Sequence, residues 1–239
     1  MAIQNFDQLN SMSEKWYSKM DIPPKKRQER VDLSLLFGEI FGLFFDIIDD
    51  YKIRDLNDLE DWLIERLEIS ASNFVGVDNL AYIKDWSVAK AKKIVKTTTQ
   101  YLEDESESES EEDESESEED DEKEPEVITF EEFEVSVPKE EYPTSDVRAI
   151  LLGIECASSM ANYKELYGAY EDKMTNKVWI TEADNRVRGT HQEVDHVDLP
   201  IEKPFVVGNS YMLFPGDTSY NAEDKEIANC RCFCTYYKK

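Results

Sequence analysis

No uncharged apolar run of about 18 residues or more occurs in this chain, so no membrane-spanning helix is expected. The opening MAIQNFDQLN lacks the basic-then-apolar order of a secretory signal, and the protein is expected to be made and kept in a cytoplasm. A glycine-rich phosphate loop is missing, and no paired-carboxylate motif stands out; both absences remove usual grounds for expecting an enzyme. Paired C-x-x-C knuckles are missing too. Three of the four cysteines, Cys230, Cys232 and Cys234, sit at every second position, where adjacent bridging is geometrically poor, so reduced thiols are expected.

Positive charge is also scarce, with 27 Lys and Arg against 54 Asp and Glu for a net charge of −27. The imbalance is local. Basic residues stand against acidic ones as 14 to 17 over 1–102, 1 to 17 over 103–126 and 12 to 20 over 127–239, so the global value says little about partners. Residues 103–122 comprise fifteen acids and five serines with nothing apolar. Such a run cannot bury enough surface to offset its ordering entropy. We therefore expect a helical region at 1–102, an acidic disordered linker at 103–126 that repels DNA, and a C-terminal domain at 127–239.

Within the first region, Phe6, Leu9, Met12, Trp16 and Met20 recur at helical spacing. Pro23-Pro24 breaks the chain and opens a second helix over about 24–52, carrying LSLLFGEIFGLFFDII. Ser34, Gly38, Gly42 and Asp46 lie on one narrow stripe of that helix, where another backbone can approach. The stripe reads as core, with an oligomer or partner face as the sharper alternative. A third helix is expected at about 55–70 and a fourth at about 79–102. The fourth carries Lys90, Lys92, Lys93 and Lys96, a lysine face that is solvated or else a DNA contact through phosphate neutralisation.

Beyond the acidic run, ITFEEFEVSVP suggests an extended segment or edge strand, and Thr144 or Ser145 caps a long helix. Arg148, Glu155 and Asn162 recur at sevens on a polar stripe of that helix. KVWIT reads as a strand, PFVVG and YMLF as a hairpin turning at Gly208-Asn209, and Pro215-Gly216-Asp217 as a turn. Arg186 and Arg188 are expected to point the same way along an extended piece, with His191 following. The fold class is thus α+β: a helical region, a linker, and a small domain with one long helix packed on a short-stranded sheet.

The ordered series R-A-I-x-x-G-I-E-C-A, N, A-Y, K-x-W-I-T, D-x-R-V-R-x-T-H, P-F, P-G-D and N-C-R-C spans about 146–235. In that order and spacing it resembles the phage minor head protein family, also called the Mu F-type head morphogenesis domain. Ile154 stands where that family usually carries Thr, and His196 where it usually carries Gly. The resemblance implies a minor structural protein of a tailed-phage head, incorporated near the portal during assembly, with a role in DNA packaging or delivery. Portal and other head proteins, packaged DNA and further copies of the chain would be its partners. The virion head would be its location, after assembly in the host cytoplasm.

Three chemistries compete for the reactive side chains. His191, His196, Cys230, Cys232 and Cys234 have the ligand types of a zinc site; a His with two Cys from one face is the easiest set, and Cys232 is expected to face away from Cys230 and Cys234. Glu155, Asp184, His191 and a Cys supply acid, base and nucleophile types, as a metal-binding enzyme or toxin-like effector on the same domain would use. The preferred reading is a structural polar network of Arg148, Glu155, Asp184, Arg186, Arg188, His191, Asp217, Asn229 and Arg231. In it Glu155 meets Arg186 or Arg188, no catalytic residue is needed and no cofactor is expected. A DNA-mimic or chaperone role would rest on the acidic run alone.

Overall fold

The computed structural model describes residues 6–53, 55–76, 80–112, 127–130, 135–139 and 141–239. Four helices come first: α1 (Phe6–Tyr17), α2 (Pro24–Tyr51), α3 (Asn57–Val75) and α4 (Ala81–Glu112). Pro24 opens α2, where its missing N–H costs no helical bond. Lys52 closes it in the left-handed conformation, its N–H returning to Ile48 O. Two features differ from expectation. The third helix runs on to Val75. The fourth continues to Glu112, so residues 103–112 of the expected disordered linker are helical, while 113–126 lie outside the described residues.

Strands β1 (Val127–Phe130) and β2 (Val135–Pro138) form an antiparallel hairpin where one edge strand was expected. After a 3-10 turn at Tyr142–Thr144 comes α5 (Asp146–Glu171), capped by Ser145, whose Oγ accepts from Arg148 N at 3.2 Å. The remainder is α+β: β3 (Asn176–Ile180), α6 (Gly189–Gln192), β4 (Asp198–Pro200), β5 (Phe205–Val207), β6 (Ser210–Met212), α7 (Asp224–Ile227) and β7 (Phe233–Tyr237). An antiparallel sheet of order β4-β3-β7 stands beside the β5-β6 hairpin, which turns at Gly208-Asn209.

Helix α5 contributes to all three apolar clusters formed by the described residues. Ala149, Cys156, Ala157 and Met160 join α2, α3 and α4 around Phe37, Phe41, Trp86 and Leu63. Val147, Ile150, Leu151 and Ile154 join α1, the start of α2 and Phe233. Leu166 and Ala169 reach the C-terminal cluster of Trp179, Phe205, Met212 and Phe214. The regions separated by the acidic run in sequence are therefore packed through one shared helix.

The small-residue stripe makes this packing close. A Cβ on Gly153 of α5 would stand 2.6 Å from Ser34 O, 2.7 Å from Gly38 N and 3.0 Å from Gly38 Cα. Ser34, Gly38 and Gly42 are all buried, and Ser34 and Gly38 are covered by the chain's own α5, not by another copy or partner. Tyr17, fully buried, pins the crossing: its hydroxyl lies 3.2 Å from Ser34 Oγ and 3.0 Å from Ser158 Oγ, and donates to Ile154 O at 3.1 Å.

Gly153→Ala tests the contact. Alanine favours a helix interior by about 1 kcal/mol, yet here its methyl meets backbone that cannot rotate away. The substitution is expected to destabilise by about 1–3 kcal/mol in urea unfolding; a gain in stability would show that the close approach is not what seats α5.

Candidate metal centre

Ala228, Asn229 and the next three residues lead the chain from α7 into β7. Asn229 takes a left-handed conformation, φ 53°, which Asn tolerates better than most residues. Beyond it Cys230 and Cys232 turn inward. Arg231 goes the other way, placing its guanidinium on Asp184 through two bonds of 2.9 and 2.8 Å and over the Trp16 ring. Both thiols lie within 3.6 Å of the same imidazole nitrogen, Nδ1 of His191, so the expectation that Cys232 faces away from Cys230 is overturned.

His191 meets the two thiols from α6. Arg188, just before that short helix, donates to Ala228 O and so ties α6 to the segment carrying the cysteines. Nδ1 of His191 lies 3.4 Å from Cys232 Sγ and 3.6 Å from Cys230 Sγ. The ring stands edge-on to Trp179, which is edge-on to Phe205. On the far side, Nε2 is 3.2 Å from Oε2 of Glu226. That carboxylate is itself buried and accepts from Thr190 Oγ1 at 2.8 Å. Gly208, at φ +57°, passes so close that a Cβ there would stand 2.9 Å from Glu226 Oε1.

The electrostatics favour a thiolate at Cys230. A hydrogen bond from Cys232 holds the Cys230 thiol well below its ordinary value against the effect of burial, and His191 adds to it. Cys232 is correspondingly raised, first by that same bond and then by burial. Burial pulls His191 down, but its bond to Cys230 and the charge there hold it above 6.5. A thiolate beside an imidazole is both a nucleophile and a metal ligand. His191, Cys230 and Cys232 are 1, 6 and 4% exposed, a setting suited to a ligand more than to a nucleophile that must meet substrate. Their donor atoms lie within 4.8 Å of one another and could hold a metal ion.

His196 and Cys234 do not join them. His196 is exposed and 3.7 Å from Asp195. Cys234 lies within β7 opposite Trp179, where burial pushes its thiol up, and it lines a cavity of about 480 Å³ with Arg30, Glu165 and Tyr236.

The polar network exists, but with different partners. Glu155 meets neither Arg186 nor Arg188 directly: Lys90 of α4 bonds it, and Lys93 stands 3.9 Å away. Lys90 is thus a buried partner rather than a DNA-facing residue, and Lys93 also reaches Asp224 at 3.1 Å. Lys92 and Lys96 are exposed beside Asp55, Glu60 and Glu103 in a groove of about 690 Å³, where the carboxylates weaken any pull on phosphate. Arg148 donates to Pro143 O and to Thr97 Oγ1 at 3.1 Å, its guanidinium lying over Phe45 and Tyr101. Arg186 is exposed, 3.5 Å from Asp184, and shares no extended face with Arg188. Asp217 satisfies loop groups as expected, accepting from Leu213 N at 2.7 Å and Ser219 N at 2.9 Å. Asn229 contributes a turn, with its side chain exposed.

Sequence reasoning missed Glu226, Lys90 as the partner of Glu155, and Arg30. Arg30 is buried and donates to Asn162 Oδ1 at 2.8 Å, while the Asn162 amide donates to Pro215 O at 2.9 Å and Cys232 O at 3.1 Å. No local spacing singles out Glu226, whose partner His191 is remote in sequence. Comparison with family models, with curated proteins and with solved structures gives no match for this chain.

The Lys90–Glu155 pair has a pH signature. Burial raises Glu155, but Lys90, then Lys93, bring it below 4.5 overall. A depressed folded pKa contributes stability above the unfolded value, lost as pH falls through the folded one. Lys90→Met leaves the carboxylate buried without that partner, with an expected loss of about 3–5 kcal/mol near neutral pH. Its sign should reverse as well: urea unfolding should show the variant gaining stability on acidification as Glu155 takes up a proton, where the wild type loses it. Parallel pH profiles would contradict the pairing.

Proposed function

We propose that this chain is a minor structural protein of a tailed-phage head, built in near the portal during assembly and taking part in DNA packaging or delivery. The observation that carries the reading is the ordered series from Arg148 to Cys232, with W-I-T, R-V-R-x-T-H, P-G-D and N-C-R-C in sequence. Further support comes from where those residues sit. Asn162, Trp179, Asp184, Asp217 and Arg231 hold loops to α5 and to the small sheet, the work of a compact binding module. Lys177 does the same: its ammonium, lowered by burial to about 8, donates to Leu213 O at 2.7 Å. In this reading the helical region docks on portal or neighbouring head proteins and the C-terminal part is the module it presents. No helix among the described residues is long and apolar enough to cross a membrane. A zinc ion on His191, Cys230 and Cys232 fits the reading as a cross-link between α6 and the segment entering β7, because two thiols and an imidazole are donors zinc favours.

Mass spectrometry of purified procapsids and virions is expected to find the protein in both, and portal immobilised on resin is expected to retain it. Absence from both particles would overturn the proposal.

A further inference from the structure

We infer that His191, Cys230 and Cys232 form a three-donor zinc centre bound through Nδ1 of the imidazole, and that Glu226 is its positioning residue, fixing the ring through Nε2. This rests on the zinc reading above but not on the head-protein reading.

The distances carry the argument. Zinc–sulfur bonds of about 2.3 Å and zinc–nitrogen bonds of about 2.0–2.1 Å, arranged tetrahedrally, place N and S about 3.6 Å apart. The Nδ1 to Sγ separations are 3.4 and 3.6 Å. Both imidazole–thiol distances therefore match those an ion imposes, and all three donor atoms lie within 4.8 Å of one another.

Nε2 of His191 is buried and makes no hydrogen bond, yet Glu226 Oε2 stands only 3.2 Å from it, within reach once the ring turns slightly. A metal on Nδ1 obliges the other nitrogen to carry the proton, and a carboxylate beside that N–H orients the ring and raises its basicity. Glu226 is held for this task by Thr190 and enclosed by the Gly208 turn. Among the described residues no fourth His, Cys, Asp or Glu joins the donor group, so water or another small ligand takes the remaining position.

The ion closes a long loop, since His191 and Cys232 stand 41 positions apart. Between them the regular structure amounts to three strands of three residues and one four-residue helix. Such short elements bury little surface each, and a cross-link at their ends stabilises the arrangement by restricting the unfolded chain.

The test uses the full chain, purified without added metal and analysed by plasma mass spectrometry. Wild type should carry close to one zinc per chain, and X-ray absorption should show two sulfur and two lighter ligands. His191→Ala and Cys232→Ser should lose the ion. Chelator should lower the melting temperature of wild type, a readout that does not depend on the variants folding. Glu226→Gln should still bind zinc but about 10–100-fold more weakly, with shifted ligand-field bands after cobalt substitution; Glu226→Asp should recover part of the affinity. Metal-free wild type whose melting temperature ignores added zinc would overturn the zinc reading itself. Stoichiometric zinc with Glu226→Gln equal to wild type in affinity and spectrum would overturn the role of Glu226 alone.

Discussion

The approach of α5 to α2 at Gly153 is the constraint on which the other packing depends. With no side chain at Gly153, the two backbones meet at Ser34 and Gly38, and α5 lies deep enough to present a different face to each of three apolar clusters. A larger residue there would move α5 outward and loosen all three. Tyr17 fixes the crossing, reaching α2 through Ser34 and α5 through Ile154 and Ser158.

So central a helix also buries charge. Arg148, Glu155 and Asn162 lie on one stripe of α5, and each is matched: Arg148 by a carbonyl and two aromatic faces, Glu155 by Lys90, Asn162 by Arg30 and two loop carbonyls. A buried ion pair contributes little net stability, because desolvation offsets most of its attraction, but losing one partner is costly. These contacts tie α5 to α2 and α4, and the loss of any one partner would leave a buried polar or charged group without it. The same arrangement carries the helical region to the C-terminal site, since the amide of Asn162 holds the carbonyl of Cys232.

Much of the fold was legible because local chemistry dictates it. The proline pair before α2, the Ser145 cap of α5, the Gly208-Asn209 hairpin and the stripe of Ser34, Gly38 and Gly42 all act over a few residues, and each lies where its spacing indicates. The acidic run shows the limit of composition. Its charge argues for disorder, yet its first ten residues continue α4, where an established helix propagates at one hydrogen bond per residue without a new nucleus.

At the centre of His191, Cys230 and Cys232, the sequence by itself determined the donor types and that Cys230 and Cys232 stand two apart. Only the tertiary structure decided which histidine joins them, that Cys234 stays within β7, and that Glu226 stands behind the imidazole. The physical reason is that spacing fixes direction along one local segment only. Distances between α6, α7 and the entry to β7 are set by Arg188 on Ala228, Arg231 on Asp184 and Trp179 beneath them, contacts that no period in the chain encodes.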